Sequence, residues 1–157
     1  MFESNSSIIV LARKAKEKNS IGIPEENYTI NKSNIDKYLQ TLSQNRNQSP
    51  HVIHKINKEI KKYSDSPIIF YGAGRLLDGL IKYGDLKVQQ IDYLVDNYLF
   101  TATKKVHGLD LYDEKVLKNI KNGLIFICAK SSSQEIYESL IRNYKFKKII
   151  KIVDYFN

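Results

Sequence analysis

The chain has 157 residues, of which 42% are hydrophobic and 27% are charged, and its formal net charge at pH 7 is +8. This mixture is typical of a folded globular protein and excludes an intrinsically disordered one. One cysteine excludes an internal disulfide framework, and no apolar run approaches the ~20 residues that cross a bilayer. We therefore expect a cytoplasmic protein without a membrane partner. Its positive charge favours anionic ligands, and the alternative is that lysine pairs such as Lys61-Lys62 and Lys147-Lys148 form only a solvated surface.

The first 34 residues predict a short strand followed by a connector. Residues 6–12 are apolar and β-branched, which is typical of a buried strand, and the charged residues 13–18 leave it. Gly22, Pro24 and several asparagines within residues 19–34 favour an irregular connector. Because an unpaired apolar strand promotes association, we expect residues 6–12 to pair with another sheet or another chain.

Two helices are predicted between the connector and residue 60. Apolar residues recur at helical spacing over residues 35–42, and the polar residues 43–49 are expected to end that helix. Ser49 at the cap position and Pro50 at the first helical position then favour the start of a second helix, over residues 50–60.

From residue 66 onward, short apolar strands alternate with amphipathic helices. The pattern predicts helices over residues 75–83, 113–120 and 133–144, strands over 67–71, 91–95, 124–129 and 148–153, and an irregular segment, 96–112, with a small strand near 109–111. Strands that are apolar throughout are covered on both faces, as in parallel sheets. The prediction is an α/β fold with a Rossmann-like, mostly parallel sheet and flanking helices, preceded by an isolated strand and a helical segment.

The turn Gly72-Ala73-Gly74 is the best candidate ligand site, because it joins a predicted strand to a helix that begins at Arg75. Glycine permits the tight turn and lets a phosphate approach the backbone, while the amino end of the helix attracts anions. Arg75 adds a positive charge beside the turn and could pair with a phosphate, and the alternative is that it is only a solvated helix residue. The dinucleotide fingerprint would place a third glycine where Leu77 stands. The alternative is that the glycines only permit close packing of strand and helix.

Other polar residues follow the predicted strands. Asp96 lies 24 residues after Gly72, near the spacing at which an acidic residue meets a ribose hydroxyl, and Asn97 follows it directly. His107 in the irregular segment and Ser131 after the strand at 124–129 are further candidates for ligand contact. Turn formation and helix capping are the alternative interpretations of these residues.

Metal binding and hydrolytic chemistry find little support in the sequence. His51 and His54 are three residues apart on a predicted helix, but a zinc site needs further ligands and none is apparent nearby. Cys128 falls within an apolar strand, where cysteine is usually an inert small hydrophobe. We therefore predict no metal site and assign no catalytic residue.

The motifs of the second half of the chain resemble a known pair of families. The similarity covers some 90 residues and is carried by Ile68–Arg75, Ile91–Asn97, His107–Leu109 and Leu124–Ala129. They resemble the C-terminal Rossmann-like domain of S-adenosylmethionine-dependent sugar C-methyltransferases, and also the sugar-nucleotide-binding domain of bacterial sugar acetyltransferases. Those families carry two acidic residues where this chain has one, Asp96, followed by Asn97.

The amino terminus also looks like part of a methyltransferase, because residues 6–14 resemble its closing strand. The resemblance implies a methyltransferase remnant over residues 1–18, a connector with helices over 19–65, and a nucleotide-sugar-binding domain over 66–157. It further implies an accessory domain or C-terminal fragment that acts in bacterial saccharide biosynthesis. The expected partners are a nucleotide sugar and a methyltransferase catalytic domain, or a second copy of this chain.

Cofactor binding is expected elsewhere. The chain has no acidic, glycine-rich cofactor loop ahead of the second domain, so the complete methyltransferase, and not this chain alone, is expected to bind S-adenosylmethionine. The alternative function is a small NAD(P)-binding Rossmann protein or reductase. Nucleic acid is not an expected partner, because no zinc, helix-turn-helix or RNA-recognition signature is present.

Overall fold

The computed structural model describes residues 25–156, with side chains from residue 29 onward. The chain divides into two units, residues 1–38 and 39–157. The expected strand over residues 6–12 lies outside the described residues, as does the start of the expected connector. The described part of that connector, residues 25–34, is helical and belongs to helix α1, Glu25–Lys62.

A six-stranded sheet forms the centre of the second unit. Its strands, in chain order, are β1 (Ile68–Tyr71), β2 (Tyr93–Val95), β3 (Lys105–Val106), β4 (Leu109–Tyr112), β5 (Leu124–Ile127) and β6 (Lys148–Lys151). The spatial order is β3-β4-β2-β1-β5-β6, and only β3 is antiparallel to its neighbour. Helices α2 (Arg75–Gly84) and α3 (Ser133–Asn143) follow β1 and β5 respectively. The expected α/β architecture, a mostly parallel sheet with flanking helices, is confirmed.

The order of the strands reverses between β1 and β5. The chain moves outward from β1 through β2 to β4, and then returns past β1 to β5 and β6. In parallel α/β sheets, ligands bind outside the carboxyl ends of the strands at such a reversal. The loop after β1 is the Gly72-Ala73-Gly74 turn, so the predicted turn lies at this point.

Both faces of the sheet are buried. On one face the rings of Phe70 and Phe126 lie 5.1 Å apart and belong to a core that includes Ile56 of α1 and Leu80 of α2. On the other face the core includes Leu140 of α3, Leu117, and alternate strand residues such as Ile69 and Ile127. Continuous burial of β1 and β5 explains why these strands are apolar throughout.

The expected break over residues 43–49 is wrong, because α1 continues through it with Pro50 inside the helix. Proline cannot donate a hydrogen bond to the carbonyl four residues earlier, which weakens a helix. The hydroxyl of Ser49 donates to the carbonyl of Asn45 at 2.8 Å, within the helix and not as its cap. Burial of Val52 and Ile56 against the sheet outweighs the low helix propensity of the preceding polar residues.

Smaller differences concern the ends of elements. The expected helix over residues 113–120 is a 3₁₀ helix over Glu114–Asn119, whose cap Asp113 accepts a hydrogen bond from the Lys115 N–H. The irregular segment after β2 holds a 3₁₀ helix, Leu99–Thr101, and the β3–β4 hairpin. Within the part of the chain that the structure describes, none of the helices has both the length and the apolar character required to cross a membrane.

Candidate functional site

Gly72 is required by the geometry of the turn. Its φ is +105°, and a Cβ atom at this position would lie 3.0 Å from the backbone nitrogen of Ala129. Its own N–H donates to the carbonyl of Val95 at 2.7 Å. Gly72 therefore sits between the end of β2 and the segment after β5, where a side chain would collide with backbone.

Gly74 has a different environment. It precedes α2 with an extended backbone (φ −95°, ψ −159°), and a Cβ atom placed on it would meet no atom within 4 Å. The first N–H groups of a helix have no acceptor within the helix, and Gly74 provides no side chain to cap them. The open space beside Gly74 is therefore accessible to an acceptor from outside the chain, and the helix dipole favours an anion there.

Asp96 holds the turn in place. One carboxylate oxygen accepts a hydrogen bond from the Ala73 N–H at 2.9 Å, and the other accepts from the N–H groups of Tyr98 and Leu99 at 3.0 and 2.9 Å. The Asp96 N–H donates to the carbonyl of Tyr112. The residue expected to contact a ribose hydroxyl thus already bonds three backbone N–H groups, and the N–H of Ala73 is engaged within the protein.

Asn97 belongs to a polar network with Tyr71 and Glu114. The Tyr71 hydroxyl donates to the Glu114 carboxylate at 2.9 Å, and the Asn97 amide nitrogen donates to the same carboxylate oxygen at 3.1 Å. The Asn97 side-chain oxygen accepts from the Glu114 N–H at 2.7 Å. Burial, and then the hydrogen bond to Glu114, raise the pKa of Tyr71 above its ordinary value, so the phenol remains a donor at neutral pH.

His107 is positioned by the β3–β4 hairpin. Its Nε2 lies 2.6 Å from a carboxylate oxygen of Asp78, which is in the first turn of α2. The Asp78 N–H donates to the carbonyl of Gly74, so the pair lies one helical turn from the open position. The contact with Asp78 thus brings His107 to the first turn of α2.

The remaining candidates lie on either side of the strand-order reversal. Arg75, the first residue of α2, is exposed. Ser131 is exposed in the turn after β5, two residues beyond Ala129, which contacts the position of Gly72. Helix α3 begins directly after this turn, at Ser133. The amino termini of α2 and α3, which pack on opposite faces of the sheet, therefore both lie at its carboxyl edge.

The other titratable residues considered from the sequence lie away from this edge or are buried. His51 and His54 are exposed on α1. Among the described residues, no three His, Cys, Asp or Glu side chains come together as ligands for a metal ion. Cys128 is buried after β5, and burial raises the pKa of its thiol above the ordinary value, which disfavours the reactive thiolate.

Tyr71 and Glu114 were not identified from the sequence. Tyr71 is the last residue of an apolar strand and directly precedes Gly72. Its hydroxyl, at the end of a strand that is otherwise apolar, could have indicated a residue of the candidate site. Glu114 lies 43 residues later and has no spacing that connects it to the turn.

Comparisons of this chain with family models, with curated proteins and with solved structures find no match. The residues at this edge provide backbone N–H groups at the amino ends of α2 and α3, the exposed side chain of Arg75, a turn fixed at Gly72 and open space at Gly74. Together these groups can bind a phosphate or diphosphate without supplying a nucleophile.

Proposed function

We propose that this protein binds a nucleotide sugar at the Gly72-Ala73-Gly74 turn. The observation that carries the proposal is the contrast between the two glycines. Gly72 is locked against the segment after β5, while Gly74 leaves open space at the amino end of α2. A diphosphate fits such a position, because it accepts hydrogen bonds from helix N–H groups and is attracted by the helix dipole.

Charge and topology support an anionic ligand. Arg75 is exposed beside the open position, and the chain carries a formal net charge of +8. The reversal of strand order between β1 and β5 is where Rossmann-like folds bind nucleotides. Ser131 and the amino end of α3 follow β5, on the other side of this reversal. The Ser131 hydroxyl can donate or accept a hydrogen bond with the sugar, and the helix N–H groups can donate to it. Asp96 has lone pairs left for one ligand hydroxyl in addition to its backbone partners.

A nicotinamide dinucleotide presents the same diphosphate and ribose groups, so NAD(P) is the competing ligand. The dinucleotide fingerprint uses a third glycine for close contact between helix and strand. Leu77 occupies that position and is fully buried in the core between α2 and the sheet. This packing favours a nucleotide sugar over a dinucleotide.

The proposed biological role is that of an accessory domain. Its resemblance to sugar C-methyltransferases supports a function in bacterial saccharide biosynthesis, in which a methyltransferase domain binds S-adenosylmethionine and this domain holds the activated sugar. The partner is that catalytic domain or a second copy of this chain. The role requires no catalytic group at the glycine turn.

A thermal-shift titration of the full chain tests the ligand class. UDP-, GDP- and dTDP-sugars are compared with NAD, NADP and S-adenosylmethionine. A ligand present at 100 times its dissociation constant stabilises the folded state by about 2.7 kcal/mol. We expect this response from at least one nucleotide sugar and none from S-adenosylmethionine. A larger response to NAD or NADP than to every nucleotide sugar would overturn the assignment.

A further inference from the structure

Tyr98 exposes an aromatic ring at the same edge as the glycine turn. Its exposed fraction is 84%, although the two residues that follow it, Leu99 and Phe100, pack against the core. Within residues 25–156, the Tyr98 ring takes part in no aromatic pair and no cation–π contact. A large apolar surface is thus left in water beside a candidate ligand site.

The backbone that carries this ring is fixed. The Tyr98 N–H donates to one carboxylate oxygen of Asp96 at 3.0 Å, and the Tyr98 carbonyl accepts from the Thr101 hydroxyl at 2.7 Å. The Thr101 N–H also donates to this carbonyl, at 3.3 Å. The ring is therefore presented from an ordered 3₁₀ turn, which reduces the entropy lost when a ligand packs on it.

Asp96 connects Tyr98 directly to the glycine turn. The carboxylate oxygen that does not bind Tyr98 accepts from the Ala73 N–H at 2.9 Å. Strands β1 and β2 are parallel neighbours, with Tyr71 opposite Val95, so the turn and Tyr98 leave the same edge of the sheet. One carboxylate therefore links the backbone of the glycine turn to the backbone that carries the Tyr98 ring.

We propose that Tyr98 is the stacking platform for the nucleobase of the ligand, and thereby a specificity-determining residue. The inference rests on the proposed function, because it requires the diphosphate of the same ligand to lie at Gly74. Every nucleobase has an aromatic face, so stacking favours nucleotides over phosphorylated ligands that lack a base. Sugar phosphates and inorganic pyrophosphate can bind at the turn, but they have no base to stack on Tyr98 and so gain no affinity from it.

The chain contains no tryptophan, which gives a direct test. Tyr98→Trp introduces a single indole that can be excited selectively, and UDP, GDP and dTDP are titrated against it with inorganic pyrophosphate as the comparison. We expect the nucleotides to quench its fluorescence and pyrophosphate to leave it unchanged. The matched control is Tyr83→Trp in the last turn of α2, at a position 38% exposed, where neither titration changes the emission.

Affinities of variants complete the test. Calorimetry with the same nucleotides is expected to show a loss on the order of 10- to 100-fold for Tyr98→Ala, and little change for Tyr98→Phe, which keeps the ring. Wild-type affinity for pyrophosphate is expected to persist in Tyr98→Ala. Nucleotide binding that is equally tight in Tyr98→Ala overturns the role of Tyr98 and leaves the proposed function standing. If the wild-type chain binds none of these nucleotides, both proposals fail.

Discussion

The carboxylate of Asp96 accepts a hydrogen bond from the backbone N–H of Ala73 at 2.9 Å, which joins the end of β2 to the turn after β1. Its second oxygen accepts from the N–H groups of Tyr98 and Leu99, at the start of the 3₁₀ helix Leu99–Thr101. A single side chain thus orders two loops at the carboxyl edge of the sheet. The shape of the candidate site depends on Asp96 even where no ligand touches it.

Replacement of Asp96 is expected to reduce stability. Asp96→Ala removes the acceptor of three backbone N–H groups, and we expect it to lower the free energy of unfolding by about 1–3 kcal/mol. Asp96→Asn keeps one side-chain oxygen, which can still accept from Tyr98 and Leu99, so a smaller loss is expected. Urea denaturation measures both variants. If Asp96→Ala and the wild type have the same free energy of unfolding, the three hydrogen bonds do not contribute to stability and the prediction is wrong.

The two glycines of the turn are expected to respond differently to alanine. Gly72→Ala places a Cβ atom 3.0 Å from the Ala129 nitrogen at a φ of +105°, so we expect a loss of about 2–5 kcal/mol in the free energy of unfolding. Gly74→Ala meets no atom within 4 Å and is expected to change stability by less than about 0.5 kcal/mol. Denaturation midpoints of the two variants give the comparison, and similar losses at both positions would contradict it.

The turn itself was predictable, and the use of Asp96 was not. Gly72 and Gly74 stand between an apolar strand and an amphipathic helix, and this local context is legible in a sequence. The spacing between Gly72 and Asp96, which directly follows the neighbouring strand β2, predicted a contact with a ribose hydroxyl. The spacing does not show whether the carboxylate oxygens of Asp96 face a ligand or backbone N–H groups. That depends on how two loops that are distant in the sequence meet.

Tyr71 is expected to stabilise the fold in a pH-dependent manner. Tyr71→Phe removes the hydrogen bond to the Glu114 carboxylate, and we expect a loss of about 1–3 kcal/mol at pH 7. The pKa of Tyr71 is raised in the folded state, so its contribution is complete below the unfolded-state pKa of about 10 and falls as the pH rises above that value.

Denaturation of the wild type and Tyr71→Phe between pH 7 and pH 11 checks this dependence. The difference between the two proteins is expected to shrink above about pH 10. Tyr98→Phe is the control, because its ring is 84% exposed, and it is expected to match the wild type at neutral pH. A difference between wild type and Tyr71→Phe that grows with pH would contradict the prediction.

Pro50 is expected to weaken α1. Pro50→Ala restores an N–H that can donate to the carbonyl of Arg46, and we expect a gain of about 1–3 kcal/mol in the free energy of unfolding. Gln48→Ala, at an exposed position of the same helix, is the control and is expected to change stability by less than about 0.5 kcal/mol. A loss of stability in Pro50→Ala would indicate that the packing of α1 requires proline.

The sequence predicted a break over residues 43–49, whereas helix α1 is continuous through them. Residues 43–49 consist of Ser, Gln, Asn and Arg, which have weak or moderate helix propensity, and they precede a proline. The helix propensity of these residues therefore favoured a break between two helices. Val52 and Ile56 are fully buried in the core between α1 and the sheet, and this contact over long sequence separation stabilises the helix on the carboxyl side of Pro50.

The most direct test of nucleotide-sugar binding is calorimetry on a matched pair of glycine variants. Gly74→Val places a branched side chain in the open space at the amino end of α2, whereas Gly79→Val makes the same change beyond the first turn of that helix, where a Cβ atom also meets nothing within 4 Å. The nucleotide sugar that gives the largest thermal shift is titrated into the wild type and both variants. The account predicts binding to the wild type and Gly79→Val, and no measurable binding to folded Gly74→Val. Wild-type affinity in Gly74→Val would contradict it.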